Sequence, residues 1–189
     1  MRREPPVRIR EGLGVKFPRA TRLVILCRSA EDAARGLAVV QEWTASAGLT
    51  LHPTKTRVID AGADSFDFLG YRFEGGTRRP RPKSLDKFKE TVREKTSRTT
   101  GGSLSAIIAR LNPTLRGWFE YFKHSQKWTF ERLDGWIRMR LRSLLRKRMK
   151  KAGRGRGTDH QRWPNAFFDD HGLFSLKRAH ALARQSSLR

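Results

Sequence analysis

The sequence predicts an α+β chain: a small β-α-β-hairpin unit over residues 18–76, then a mostly α-helical domain over residues 84–189. Three observations carry that expectation. Apolar runs and alternating aromatics mark the first part, whereas beyond residue 84 the apolar residues recur at helical spacing. The charge also breaks between them. Residues 1–76 hold twelve Lys and Arg against nine Asp and Glu, a net of +3, and residues 77–189 hold twenty-nine against nine, a net of +20.

Residues 1–17 lack periodicity and read as a loose arm. From Arg22 to Ser29 the run Leu23-Val24-Ile25-Leu26-Cys27 reads as a short buried strand, with Cys27 as a small buried thiol. Ser29 has the character of an N-cap, and Glu31 and Asp32 suit the first turn of a helix. Leu37, Val40, Trp43 and Ala47 sit near helical spacing, and Gly48 is a stop. A second strand is expected at Arg57–Asp60. A hairpin follows around Asp64–Glu74, built on Phe66-Asp67-Phe68-Leu69-Gly70-Tyr71-Arg72-Phe73.

The stretch Gly75 to Lys83, rich in Gly, Pro and Arg, reads as a linker, with residues 77–83 as its body. Ser84 then caps a helix carrying Leu85, Phe88 and Val92. Gly101-Gly102-Ser103 separates it from a helix carrying Leu104, Ile107, Ile108 and Leu111. Asn112-Pro113 is expected to break or kink that helix. Leu115, Trp118, Phe119 and Phe122 continue on a fresh face. Leu133, Ile137, Leu141 and Leu144 mark a long basic helix to about Lys151. Gly153–Gly157 reads as a hinge, and residues 163–184 as a docking segment ending in a small helix.

Composition narrows the function. A net charge of +23 calls for a polyanionic partner, because displaced phosphate counterions supply binding energy. The single cysteine excludes a disulfide framework and a CxxC zinc site. His52, His124, His160, His171 and His180 have no metal-ligand spacing, and the cluster Asp169-Asp170-His171 reads as a solvated turn. No apolar stretch approaches the roughly 20 residues that span a bilayer, and the N-terminus lacks a secretory pattern. A cytoplasmic setting without a membrane, a metal or a cofactor is expected.

Arg138, Arg142, Arg146 and Lys150 recur every four residues, forming a ridge that suits a phosphate backbone. Eight basic residues from Arg138 to Lys151, with no acid among them, strengthen that reading. Removal of the ridge charges is expected to leave the fold intact. Trp118, Phe119 and Phe122 suit a core, whereas Arg116, Tyr121 and Lys123 fall between them and are candidates to face RNA. Lys83, Lys87 and Arg93 extend that surface. Arg78-Arg79-Pro80-Arg81 and Arg154-Gly155-Arg156 read either as basic clamps or as disordered tethers.

Three segments resemble group II intron reverse transcriptases, in that family's order. Leu23 to Ser29 is similar to the strand that follows the polymerase's paired aspartates. Leu49-Thr50-Leu51-His52-Pro53-Thr54-Lys55-Thr56, then Phe66-Asp67-Phe68-Leu69-Gly70-Tyr71, resembles the end of the palm and its primer-grip hairpin, with Phe68, Leu69, Gly70 and Tyr71 as the primer-grip-like residues. Leu111-Asn112-Pro113-Thr114-Leu115-Arg116-Gly117-Trp118-Phe119-Glu120-Tyr121-Phe122 resembles the signature of the maturase-specific, or thumb/X, domain. The resemblance implies a truncated palm remnant over residues 18–76 and a thumb/X domain over residues 84–189.

One departure matters for chemistry. Where the family has Tyr-Ala-Asp-Asp, this sequence has Arg19-Ala20-Thr21-Arg22. Thr21 and Arg22 replace the carboxylates that hold magnesium, and a guanidinium cannot ligate a cation. The third metal-binding aspartate and the fingers would lie upstream of Met1. No catalytic residue is therefore assigned. The resemblance implies a maturase-like protein that binds structured RNA, group II intron RNA, and assists its folding and splicing. Two alternatives stand beside it: the C-terminal part of a split polymerase that needs an upstream reverse-transcriptase chain, and a degenerate remnant.

Overall fold

The computed structural model describes residues 24–155 and 157–186. The arm over 1–17, the Arg19-Ala20-Thr21-Arg22 positions, Leu23 and Arg156 lie outside the described residues. The described chain falls into two compact units that part between Val58 and Ile59.

The first unit is organised by α1 (Ala30–Ser46), and its start follows the expectation: the Ser29 hydroxyl accepts from the Asp32 amide at 3.1 Å. Gly48, at φ +68°, ends it, with the Leu49 amide donating to the Thr44 carbonyl at 2.8 Å. Among the described residues neither expected strand forms. Residues 24–27 and 57–60 have no ladder hydrogen bonds, and a strand needs a partner to satisfy its backbone groups. Val24, Ile25 and Leu26 are exposed, and so is Cys27, which corrects its reading as a buried thiol.

The second unit opens with an antiparallel meander of β1 (Phe66–Phe68), β2 (Tyr71–Glu74) and β3 (Thr77–Pro80), in that spatial order. Both connections are two residues long with two positive φ angles, Leu69 (+46°) and Gly70 (+80°), then Gly75 (+51°) and Gly76 (+70°). That is the hairpin turn whose twist matches paired strands. Most of the expected linker is thus the second turn and third strand of a sheet. Phe66 stacks on its cross-strand partner Phe73, with ring centroids 4.9 Å apart.

Six helices follow: α2 (Pro82–Lys95), α3 (Leu104–Phe122), α4 (Lys127–Arg148), α5 (Thr158–Arg162), α6 (Asn165–Asp170) and α7 (Leu176–Ser186). α2 starts two residues before Ser84, with Pro82 in the first turn where its missing N–H costs nothing. Ser84 instead donates to the Gly70 carbonyl. α3 is continuous through Pro113. Its buried row of Leu104, Ile107, Ile108, Leu111, Leu115, Phe119 and Phe122 outweighs one lost hydrogen bond. α4 begins six residues before Leu133 and buries Phe130, Leu133, Ile137, Leu141 and Leu144 in the same core. Phe168, Leu173 and Leu176 join that core from the C-terminal segment.

Candidate nucleic-acid interface

The ridge on α4 faces inward. Arg138 is only 8% exposed and Arg142 only 3%. Arg138 reaches the Asp169 carboxylate at 3.0 Å and that of Asp134 at 3.7 Å. Arg142 donates to the Trp163 carbonyl at 2.8 Å and the Asn165 side-chain oxygen at 2.9 Å, and its guanidinium lies over the Phe168 ring. Burial, then the neighbouring Arg138 charge, lowers the Arg142 pKa, with Asp159 opposing. Arg146 pairs with Asp159 at 2.8 Å and donates to the Ala152 carbonyl.

The four-residue period therefore marks a second buried face of α4, onto which residues 152–155 and 157–176 fold. Guanidinium groups enter an interior when carboxylates and carbonyls meet them. The expectation of an open phosphate rail is corrected for Arg138 and Arg142, and with it the expectation that the ridge charges are dispensable to the fold. Lys150 lies beyond the end of α4, at φ +58°, and is exposed. Within the expected hinge, Gly155 is packed. Gly155 is buried, its amide donates to the Ser143 hydroxyl, and a Cβ there would lie 2.6 Å from that of Arg142.

Asp134, which sequence reasoning passed over, organises this face. Its carboxylate accepts from the Ser175 hydroxyl at 2.7 Å and from the Leu176 and Lys177 amides at 3.0 and 3.2 Å, capping α7 from α4. Its signal was an acid alone between Arg132 and Thr158 in an Arg-rich stretch. Asn112 was also missed as a latch. Its amide donates to the Gly172 carbonyl at 2.8 Å and accepts from the Phe174 amide at 2.9 Å, which gives the Asn of Asn112-Pro113 its task. In the cluster read as a solvated turn, Asp169 belongs to the Arg138 pair and His171 bonds the Phe167 carbonyl.

Arg116 is exposed, with its guanidinium 4.6 Å from the Phe174 ring centroid. Lys123 pairs with Glu120 at 3.0 Å on the surface. Tyr121 is 54% exposed, and its hydroxyl donates to the Leu69 carbonyl at 2.8 Å. In return the Tyr71 hydroxyl donates to the Tyr121 carbonyl, and Tyr71 packs on Phe122 at 4.9 Å. Leu69, Gly70 and Tyr71 thus meet the end of α3, and Phe68 pairs across the strands with Tyr71. A Cβ on Gly70 would come within 3.3 Å of the Ser84 hydroxyl, so that turn is fitted to its seat. Arg93, Arg132 and Arg162 are exposed as well, each over a tryptophan ring.

Among the described residues no group of three or more His, Cys, Asp or Glu side chains is placed to hold a metal, and no helix is long and apolar enough to cross a membrane. The class defined is a basic helical domain fronted by a β-meander. Residues 85–163, from within α2 to just past α5, match the family model of the group II intron, maturase-specific domain. Comparison with curated proteins gave no match.

Proposed function

We propose that this protein binds group II intron RNA and assists its folding and splicing, without reverse transcriptase activity of its own. The observation that carries this reading is the maturase-specific domain at residues 85–163 within a stretch, 77–189, of net charge +20. Structured RNA folds against its own phosphate repulsion, and a cationic protein surface offsets it. Arg116 and Lys150 keep the exposure that RNA contact requires, Lys123 is half-buried and paired with Glu120, and Tyr121 is exposed beside the primer-grip-like turn. Arg146 has its carboxylate already, and Arg138 and Arg142 support the surface from within. On this reading residues 18–76 descend from a polymerase palm, although the 59–76 part now packs with the thumb/X domain over 84–189.

A group II intron transcript at limiting magnesium should splice faster when the full chain is added. An unchanged rate at saturating protein contradicts the proposal.

Thr21 and Arg22 make a separate prediction. Primer extension on an RNA template, with magnesium or manganese, should yield no product, and restoring Asp at both positions should not create activity. Extension by the unaltered chain would show that these positions do not correspond to the paired aspartates. A second reading, the C-terminal part of a split polymerase, is favoured by one observation. Val24, Ile25, Leu26, Val39 and Trp43 of the first unit are all exposed, as in a fragment lacking its complement. Product that appears only with an added upstream reverse-transcriptase chain would support it.

A further inference from the structure

The last carbonyls of α2 have no partner within their helix and need donors from elsewhere. Arg140 of α4 supplies them. Its Nε donates to the Thr96 hydroxyl at 3.2 Å, and its Nη2 donates to the Arg93 and Thr96 carbonyls at 3.2 and 3.1 Å. Two turns later Arg148 donates to the Gly102 carbonyl at 2.7 Å and reaches that of Thr100 at 3.4 Å. The loop 96–103 is therefore pinned at both ends by arginines of α4. Between the pins it is a compact turn, with the Thr100 amide on the Ser97 carbonyl at 3.0 Å and the Ser97 and Thr99 hydroxyls 2.9 Å apart. Arg98 stands on this turn, exposed. Beside it Arg93 is also exposed, with its guanidinium 5.7 Å from the centroid of the half-buried Trp136 ring.

Three guanidinium groups meet here. Burial, and after it the charges of Arg93 and then Arg98, lowers the Arg140 pKa, and no carboxylate is among the causes. Glu90 and Glu94 are the acids of the adjoining α2 surface, and among the described residues neither forms a salt bridge with the three arginines. Elsewhere in the same domain, buried arginines are met by Asp134, Asp159 and Asp169. The cluster at loop 96–103 lacks that compensation.

We propose that Arg93, on the last turn of α2, and Arg98, on the loop that Arg140 and Arg148 pin, form a binding site for successive phosphates of an RNA backbone, with Trp136 as its aromatic wall. Planar guanidinium forks fit phosphate oxygens in pairs. An arginine held over an indole keeps its donors aimed outward at little entropic cost. The N-terminus of α3, which has no acid in its first turn, adds its positive end to the same loop. This site rests on the proposed RNA-binding function and gives it a place.

The test uses the full chain and a group II intron transcript in filter binding at several salt concentrations. The double change Arg93→Gln and Arg98→Gln is compared with Arg178→Gln and Arg184→Gln, which removes the same charge from exposed positions of α7. The first pair should lower affinity about tenfold and reduce the salt slope by roughly two units, and the second should change affinity by about twofold or less. Both should melt like the unaltered protein, since all four side chains are exposed. Equal losses from the two pairs would overturn the site while leaving RNA binding intact. No salt-sensitive binding by the unaltered chain would overturn the proposed function itself. Competition by polyglutamate as effective as that by unlabelled RNA would overturn the assignment to phosphate.

Discussion

Replacing Asp134 with alanine is expected to destabilise the second unit by about 3–5 kcal/mol, the range for removing one partner of a buried ion pair. Three losses coincide. Arg138, about 10% exposed at its side chain, would keep Asp169 alone. The Leu176 and Lys177 amides at the start of α7 would lose their acceptor, as would the Ser175 hydroxyl. Burying unmatched polar groups dominates the energetics, because a buried donor left without a partner keeps its full desolvation cost. For a unit of this size the melting temperature should fall by roughly 10–20 °C. The surface pair of Lys123 and Glu120 gives the contrast, since it is solvated and its removal should cost below about 1 kcal/mol. Circular dichroism melts of both variants decide the matter. Equal stability for the two would mean that α7 is not held through Asp134.

The difference between an outward and an inward arginine is also where the sequence ceased to be legible. Helical periodicity placed α1, α2, α3 and α4, and Ser29 marked a true cap, because those signals are local. The hairpin was equally legible from its alternating aromatics, whereas its Leu69-Gly70 turn emerged only from the structure. The third strand was written in the chain too, as Gly75-Gly76 between Tyr71-Arg72-Phe73-Glu74 and Thr77-Arg78-Arg79-Pro80, but Pro and Arg gave it the look of a linker. Among the described residues, the strands expected at 22–29 and 57–60 failed for a different reason: a strand depends on a partner, and propensity alone says nothing of one.

Arg138, Arg142, Arg146 and Lys150 presented the hardest case. A period of four says that side chains share a face and is silent on what covers it. The covering segment, residues 152–155 and 157–176, carries Asp159, Asn165 and Asp169 at spacings that show no relation to α4 until the chain folds back. Conversely, the site proposed at loop 96–103 draws on α2, α4 and the loop between α2 and α3, and no single stretch of sequence contains it. Arg93 was legible as a surface cation, whereas Arg98 and Arg140 gained their meaning only from the fold.

The central claim is that this basic maturase-specific domain engages the phosphates of group II intron RNA. Its most direct test is the affinity of the full chain for such a transcript between 50 and 200 mM salt. With about six phosphates neutralised, binding should weaken about 10³-fold across that range, with log affinity falling linearly in log salt concentration. An unrelated structured RNA of equal length should share the slope and bind more weakly at every point. Weak binding with a flat salt response, or equal affinity for the two RNAs, would contradict the account.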